Sequence, residues 1–197
     1  MYRRFFKRSL DVIASGLGLV VLVPVFVGIA LAVKLGSKGP VLFRHERVGK
    51  DFSKIYVLKF RSMVTDAVTI GPGITSAGDT RITGVGRILR RTKLDELPQL
   101  WNVLKGDMSI VGPRPEIQKY VDLFKPDYQI ILQIRPGITD NAAIAFRNEE
   151  VVLAQYEDKE KAYVDHILPQ KINLYKTYIN QIGFWGDIKL IFKTVLG

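Results

Sequence analysis

The run VIASGLGLVVLVPVFVGIALAV, residues 12–33, decides how this chain is organised, because it contains no charged side chain. About 20 apolar residues are enough for a helix to cross the hydrocarbon core of a bilayer, so this run is long enough to enter a membrane. Pro24 lies near its centre, where the missing N–H and the clash of the ring with the preceding turn predict a sharp bend. We therefore predict a membrane-anchoring segment, residues 1–37, that is kinked at Pro24.

The charges beside this run bear on how it enters the membrane. Basic residues flank both of its ends: Arg3, Arg4, Lys7 and Arg8 before it, and Lys34, Lys38, Arg44 and Arg47 after it. Positive flanks at both ends give no preference for placing them on opposite sides of the membrane. A re-entrant helix hairpin with both ends on the cytoplasmic face satisfies every charge, and a spanning anchor is the alternative. A cleaved signal peptide is disfavoured, because Lys34 and Lys38 stand where a small-residue cleavage site is needed.

The composition of the chain limits its chemistry. With 197 residues, the chain has room for one compact domain after the anchor, which we place at residues 38–197. The absence of cysteine excludes disulfides and thiolate metal sites, and His45 and His166 are too few for a histidine-rich metal centre. A net charge of +10 indicates an anionic partner, which is nucleic acid, anionic membrane lipid or a phosphate-bearing substrate.

The adjacent carboxylates Asp95 and Glu96 are the first candidates for catalysis. We expect Asp95 to be the N-cap of a helix that has Pro98 in its first turn and ends at Gly106. A helix N-terminus lowers the pKa of a carboxyl group, and an ionised carboxylate suits a nucleophile or a ligand of Mg²⁺. Two solvated acids in the first turn of a capped helix are the simpler interpretation.

Arg114 stands between two prolines in the tripeptide Pro113-Arg114-Pro115. The flanking prolines restrict its backbone, so the guanidinium loses little entropy when it forks onto a phosphate group. A rigid surface turn whose arginine pairs with a carboxylate is the alternative.

Residues 41–47 and 52–60 alternate in polarity around Gly49-Lys50-Asp51 and predict a β-hairpin. In an extended strand Lys59 and Arg61 project on the same face, where they could hold phosphate oxygens together. A solvated basic face beside lipid headgroups explains the same two residues equally well.

Residues 65–79 predict a loop, after which Asp79 is expected to cap a basic helix. This helix carries Arg87 and Arg91 beside Arg81 and Arg90, and we expect these arginines to bind headgroups or a nucleotide phosphate. No aromatic residues are interleaved with them, so a nucleic-acid stacking surface is disfavoured.

The last third of the chain predicts further helices. We expect an amphipathic helix over residues 120–128 that ends near Pro126, a turn at residues 135–139, and a charged helix start at residues 147–150, although these last residues could instead face substrate. Residues 184–196 carry an apolar stripe at helical spacing, at Phe184, Ile188, Ile191 and Val195. Such a helix fits the membrane interface, or it packs on a soluble core.

The motifs LDELPQL (94–100), LKGDMS (104–109) and VGPRP (111–115) closely resemble the signature of the bacterial sugar transferases called monotopic phosphoglycosyl transferases. KFRSM (59–63) and the aromatic-x-x-Asp-Ile-Lys pattern at Asp187 are similar to further motifs of that family. The resemblance implies an α-rich α+β domain on a re-entrant membrane hairpin. It also makes Asp95 the nucleophile, Glu96 its partner and Asp187 a further candidate acid, with Mg²⁺ held at Asp95 and Glu96.

By the same resemblance, the chain would move a phospho-sugar from a nucleotide diphosphate sugar, such as a UDP-sugar, to polyprenyl phosphate at the cytoplasmic face of the bacterial inner membrane. Two differences from the family pattern stand out: Val23 precedes Pro24 where many relatives resemble Ser-Pro, and Asp140-Asn141 follows Thr139 where the family pattern has glycine. A homodimer is compatible with the sequence. The alternatives are a non-enzymatic polybasic membrane-surface module and a Mg²⁺-dependent phosphatase.

Overall fold

A computed structural model describes residue 2, residues 6–67, residue 75 and residues 78–196. The helices and strands in chain order are α1 Lys7–Val21, α2 Val23–Gly36, β1 Leu42–Val48, β2 Lys54–Phe60, α3 Gly84–Thr92, α4 Gln99–Lys105, β3 Ser109–Val111, α5 Gln118–Leu123, α6 Lys125–Ile131, β4 Gly137–Thr139, α7 Asn141–Ala145, α8 Glu149–Leu153, α9 Lys159–Ala162, α10 Leu168–Asn180 and α11 Phe184–Leu196. This mixed, helix-rich composition confirms the predicted class. The predicted loop at residues 65–79 lies largely outside the described residues, as do Arg3 and Arg4.

The N-terminal apolar run forms two helices, α1 and α2, that meet at an angle of 63°. The break falls at Leu22, two residues before Pro24, and Pro24 occupies the first turn of α2. A proline has no N–H to continue the α1 ladder and is tolerated in a first turn, so it fixes where the second helix starts. The predicted bend is confirmed. In the described part of the chain no single helix is long and apolar enough to cross a membrane, and only this bent pair meets the criteria together.

The bent pair buries one side and leaves the other apolar and exposed. Asp11 and Ser15 of α1 are buried, as are Ile29 and Val33 of α2. Large apolar side chains elsewhere on the pair are more than half exposed: Ile13, Leu17, Val20, Val21, Val23, Val27, Leu31 and Leu35. A contiguous apolar surface of this extent is typical of contact with a membrane or a partner.

Helix α1 is fastened to the rest of the chain by polar contacts. Arg8 donates from Nη1 to the carbonyl oxygen of Val103 at 2.6 Å and from Nη2 to that of Leu104 at 2.9 Å. Asp11 accepts hydrogen bonds from the hydroxyl of Ser109 at 2.8 Å and from the backbone N–H of Ile110 at 3.0 Å. Helix α1 is therefore packed on α4 and β3. The predicted division at residue 37 stays a prediction.

The predicted hairpin is confirmed as an antiparallel pair of β1 and β2, in which Phe43 is opposite Lys59 and Arg47 is opposite Ile55. The turn between the strands places Asp51 and Phe52 at φ of 54° and 59°, which delays the second strand to Lys54. Ile55 and Val57 of β2 pack on Val103 and Met108.

A second small sheet was not predicted. Strands β3 and β4 pair in parallel, so part of the expected turn at residues 135–139 is a strand. Gly112 and Gly137 make this approach feasible, because a Cβ on Gly137 would lie only 2.1 Å from the backbone nitrogen of Gly112.

The C-terminal helices surround a core that includes Tyr128, Leu153 and Leu168. The prediction that a helix ends near Pro126 is wrong. Pro126 stands in the first turn of α6, where its missing N–H costs little. The charged helix start near Glu149 is confirmed as α8.

The last predicted helix is confirmed as α11. Of its predicted apolar stripe, Ile188 and Ile191 are half-buried, whereas Phe184 and Val195 are exposed. The residues of α11 that are fully buried are Asp187 and Leu190. Trp185 and Leu196 are 79% and 81% exposed, so this helix retains an apolar outer surface. Its position at a membrane interface stays a prediction.

Candidate active site

Asp95 and Glu96 lie in a short 3₁₀ turn, Leu94–Glu96, between α3 and α4. Lys93 ends α3 in the left-handed conformation, with φ of 58°, and turns the chain into this segment. Helix α4 begins at Gln99 after Pro98 and ends at Gly106, whose φ of 102° suits glycine. The prediction that Asp95 is an N-cap is therefore wrong, since the 3₁₀ turn and Pro98 separate it from the helix start. The predicted end at Gly106 is confirmed.

The carboxyl group of Asp95 is buried, with 5% of the residue exposed. Its Oδ1 has no hydrogen-bond partner in the described part of the chain. Burial raises the pKa of Asp95, while the positive charge of Lys59 opposes the shift and the negative charge of Glu96 adds to it. The expected lowering of its pKa is therefore wrong, because desolvation outweighs the nearby cations in a residue that caps no helix.

Glu96 is bound by two cations. Arg114 donates from Nη1 to Oε2 at 3.1 Å and from Nη2 to Oε1 of this carboxylate, and Lys59 donates from Nζ to Oε1 at 2.9 Å. Burial alone would raise the pKa of Glu96, but Arg114 and Lys59 hold it well below its usual value. The structure thus brings together four of the predicted residues, Asp95, Glu96, Lys59 and Arg114.

Two side chains that sequence reasoning missed complete this cluster. Gln99 is 2% exposed, and its Nε2 donor has no partner among the described residues. Arg47 pairs with Glu116 at 2.9 Å and, like Gln99, lines a cavity of about 20 Å³ whose wall also includes Lys59 and Arg114. A space of this size admits one oxygen atom. Gln99 stands only three residues after Glu96, and this short spacing could have indicated from the sequence that it belongs to the same site.

His45 is a partly buried neighbour of Arg47. Its Nδ1 is 3.2 Å from Nη2 of Arg47, on the same face of β1. Burial, followed by the charges of Arg47 and Lys59, lowers the pKa of His45 to about 3, so the ring is neutral at physiological pH. Residues two apart on a strand share a face, so the spacing of His45 and Arg47 could have indicated from the sequence that they lie together.

Arg61 does not share the site with Lys59. Strand β2 ends at Phe60, and the buried guanidinium of Arg61 donates to the carbonyl oxygens of Ser37, at 2.8 Å, and of Lys38. These carbonyls directly follow α2, so Arg61 fastens the end of the apolar helix pair. The expected shared phosphate-binding face of Lys59 and Arg61 is therefore wrong.

Arg87 and Arg91 lie on the exposed face of α3. Arg90 of the same helix is partly buried and pairs with Glu150, and its charge, after that of Lys59, also favours the ionised form of Asp95. The helix starts later than predicted, at Gly84, because the hydroxyl of Thr83 caps it by accepting from the N–H of Gly86 at 2.9 Å.

Asp187 is buried in a different cluster. Its carboxylate accepts hydrogen bonds from Tyr2 at 2.7 Å, Lys7 at 2.6 Å and Tyr178 at 2.8 Å. These contacts join the N-terminal segment to α10 and α11, so the structure does not bring Asp187 into contact with Asp95 or Glu96.

The site has an oxygen that fits a hard cation. No group of three or more His, Cys, Asp or Glu side chains within the described ranges could hold a metal unaided. Mg²⁺ needs fewer protein ligands, since it binds through one or two carboxylates and takes its other ligands from water and substrate phosphates. The unpartnered Oδ1 of Asp95 fits this chemistry, whereas both oxygens of Glu96 already accept hydrogen bonds.

The described residues combine an exposed apolar helix pair with a buried cluster in which Glu96 binds Lys59 and Arg114 beside Asp95. Residues 2–197 match the family model described as bacterial sugar transferase, and the chain belongs to that family. This confirms the family that the motifs indicated.

Curated relatives match along almost the whole chain. It is 36% identical, over 97% of its length, to the UDP-N-acetylgalactosamine-undecaprenyl-phosphate N-acetylgalactosaminephosphotransferase of Aeromonas hydrophila. It is 40% identical, over 98% of its length, to a UDP-glucose:undecaprenyl-phosphate glucose-1-phosphate transferase of Escherichia coli (strain K12). It is 38% identical, over 96% of its length, to a Caulobacter vibrioides protein of the same name. The chain spans 43%, 40% and 68% of these relatives, respectively.

Proposed function

We propose that this protein transfers a sugar phosphate from a UDP-sugar to undecaprenyl phosphate, with release of uridine monophosphate. The observation that carries the proposal is the buried, unpartnered Oδ1 of Asp95 beside a carboxylate that two cations hold in place. The names of the relatives, which are sugar-phosphate transferases acting on undecaprenyl phosphate, support the same reaction.

The first step forms a covalent intermediate on Asp95. Oδ1 attacks the phosphorus that carries the sugar, and the bond from that phosphorus to the bridging oxygen breaks. Uridine monophosphate leaves with the bonding electrons, and the sugar phosphate remains on Asp95 as an acyl phosphate. Desolvation of Oδ1 favours attack, because this oxygen has no hydrogen bond that must break before it reaches phosphorus. In the second step an oxygen of undecaprenyl phosphate attacks the same phosphorus and regenerates the carboxylate.

The cations around Asp95 stabilise the charge that develops at phosphorus. Lys59 and Arg114 together carry one more charge than the Glu96 carboxylate that binds them, so positive charge remains for phosphate oxygens. Gln99 offers its free Nε2 donor to an oxygen in the small cavity between Arg47 and Arg114. Glu96 is a positioning residue, because it fixes both cations.

Mg²⁺ is part of the proposal. Asp95 would hold it through the carboxylate oxygen that does not attack phosphorus, with Glu96 beside it, and the ion when bound would neutralise the diphosphate and its leaving group. Arg87 and Arg91, on the exposed face of α3, stay predictions as contacts to the nucleotide or to headgroups.

The bent helix pair is proposed to be a re-entrant anchor in the bacterial inner membrane, with both ends and the active site at the cytoplasmic face. This arrangement would bring a water-soluble donor and a lipid acceptor to one aspartate in turn. The exposed apolar surface of the pair and the basic residues at both of its ends support the proposal.

The experiment is to measure uridine monophosphate release from a panel of UDP-sugars by the protein in nanodiscs, with and without Mg²⁺ and undecaprenyl phosphate. Asp95→Asn should abolish release while the protein stays folded and membrane-bound, and mass spectrometry of the wild type without acceptor should show one added sugar phosphate. The matched control is Asp107→Asn, an aspartate that follows α4, pairs with Lys105 and does not line the cavity beside Asp95. Full activity of Asp95→Asn would contradict the proposal. Repeated turnover without the lipid would favour a phosphatase, because formation of the intermediate alone releases only one uridine monophosphate per protein. No release from any donor would favour a surface module.

A further inference from the structure

A cleft of about 510 Å³ opens beside the start of α1 and shares no lining residue with the small cavity near Asp95. Four basic residues line it: Lys7, Arg8, Lys50 and Arg135. Its single acidic wall residue is Asp11. The wall is completed by Ser109, Gln133, Ile134 and Ile182.

Both arginines of the cleft converge on one end of α4. Arg8 binds the carbonyl oxygens of Val103 and Leu104, and Arg135 donates from Nε to the carbonyl oxygen of Gly106 at 2.8 Å. Arg8 also lies close to Gly106, since a Cβ on that glycine would be 3.4 Å from its Nη2. Hydrogen bonds to carbonyl oxygens orient both guanidinium groups without neutralising either charge.

The acidic groups nearby are already occupied. Both oxygens of Asp11 accept hydrogen bonds, from Ser109 and from the backbone of Ile110. Asp187 forms an ion pair with Lys7. Within the described residues, no carboxylate oxygen lies within 4.0 Å of a nitrogen of Arg8 or Arg135.

Capping the C-terminal end of α4 explains the presence of one arginine here, but it does not require two. Two like charges at one end of a helix repel each other, and a bound anion removes that repulsion. Phosphate fits best, because guanidinium groups present paired donors in the geometry of its oxygens.

We propose that this cleft binds the phosphate of an anionic membrane lipid, of the phosphatidylglycerol kind, separately from the proposed transfer site. Lys7 and Arg8 are the first residues of α1, whose outer surface is apolar and exposed from Leu10 onwards. The cleft therefore lies where the chain would enter the bilayer, at headgroup level, and Ile134 and Ile182 offer an apolar wall to the lipid. The inference rests on the proposed membrane insertion and is independent of the transfer reaction.

The test is isothermal titration of the full chain in a neutral detergent with short-chain phosphatidylglycerol, with phosphatidylcholine of the same chain length, and with inorganic phosphate. Arg135→Gln removes one charge and keeps an amide donor for the carbonyl oxygen of Gly106. Arg135 is exposed, so this variant should fold. The matched control is Lys105→Gln, which removes a charge from the same end of α4 but outside the cleft wall.

We expect phosphatidylglycerol to bind, inorganic phosphate to compete with it and phosphatidylcholine to bind at least tenfold more weakly. Arg135→Gln should weaken phosphatidylglycerol binding by about tenfold or more, as loss of a charge-assisted contact does, and Lys105→Gln by less than about twofold. Equal losses in both variants would show general surface attraction and overturn the site. Binding of inorganic phosphate without binding of the lipid would overturn the lipid assignment.

The titration is repeated with Asp95→Asn. Retained lipid binding in this variant, together with lost transfer, would support both proposals separately. Normal transfer by wild-type protein that shows no lipid binding would overturn only the lipid site.

Discussion

Arg114 and Glu96 form a two-pronged ion pair, with Nη1 donating to Oε2 at 3.1 Å and Nη2 to Oε1. This geometry joins the Pro113-Arg114-Pro115 segment to the turn that holds Asp95. The backbone restriction imposed by the prolines and the fork of the guanidinium together hold the carboxylate in one orientation.

Arg114→Lys keeps the charge but removes the fork. We expect turnover to fall by roughly 10- to 100-fold, because a single ammonium group cannot hold both oxygens of Glu96 and also stabilise the charge at phosphorus. Uridine monophosphate release in nanodiscs is the measurement. The control is Arg147→Lys, an exposed arginine near the end of α11, which should leave turnover unchanged. Undiminished turnover of Arg114→Lys would show that the fork is not needed.

The two adjacent acids should affect stability with opposite signs. The pKa of Asp95 is raised in the folded chain, so its favourable contribution is present below about pH 3.9, the ordinary aspartate pKa, and is lost as pH rises through the folded value. Asp95→Asn should therefore raise the melting temperature at pH 7.5, and this gain should shrink towards acidic pH.

The pKa of Glu96 is lowered, so its contribution is present above about pH 4.3 and is lost as pH falls through the folded value. Glu96→Gln should lower the melting temperature at pH 7.5. Thermal unfolding of both variants between pH 4 and pH 8 is the measurement, and shifts of the same sign at pH 7.5 would contradict this account.

The sequence identified the residues of the site better than their surroundings. Asp95, Glu96, Lys59 and Arg114 come together as the motifs indicated. The burial of Asp95 was not predictable, because an Asp-Glu pair before a helix looks the same whether the turn is solvated or covered by other parts of the chain.

The sequence alone does not distinguish charged side chains that bind other parts of the chain from those that bind a ligand. Arg61 was predicted to bind phosphate, yet its donors go to carbonyl oxygens after α2. Asp187 was predicted as an active-site acid, yet it binds Lys7 and two tyrosines. The contacts of Arg61 with Ser37 and of Asp187 with Tyr2 and Lys7 join residues far apart in sequence, so no local pattern could have indicated them. The bend at Pro24 was predictable because proline acts on its own backbone.

Two glycines at the start of α3 should respond differently to alanine. A Cβ on Gly86 would lie 1.9 Å from the carbonyl oxygen of Ser62, whereas one on Gly84 would meet no atom within 4 Å. We expect Gly86→Ala to destabilise the protein by about 3 kcal/mol or more, and Gly84→Ala to be neutral or to stabilise it by up to about 1 kcal/mol. Thermal unfolding in detergent compares them. Equal stability would show that α3 does not pack on Ser62 so closely.

The re-entrant anchor can be tested with single cysteines, since the chain has no cysteine of its own. Phe6→Cys and Lys38→Cys stand just outside the two ends of the helix pair, and both residues are exposed. In sealed vesicles of known orientation, a membrane-impermeant maleimide should label both from the cytoplasmic face. A spanning anchor would place one cysteine on each side, and labelling from opposite faces would reject the hairpin.

The contacts of Arg8 and Asp11 with α4 and β3 link the folding of the chain to its binding to the membrane. Helix α1 presents one side to α4, the helix that directly follows Asp95 and Glu96, and its other side to the proposed bilayer. A membrane that binds only the folded form stabilises it by mass action, in the same way as a ligand. Lipid composition would then set the fraction of molecules with an assembled site, and removal of residues 1–37 would lower the stability of the remaining chain as well as detach it.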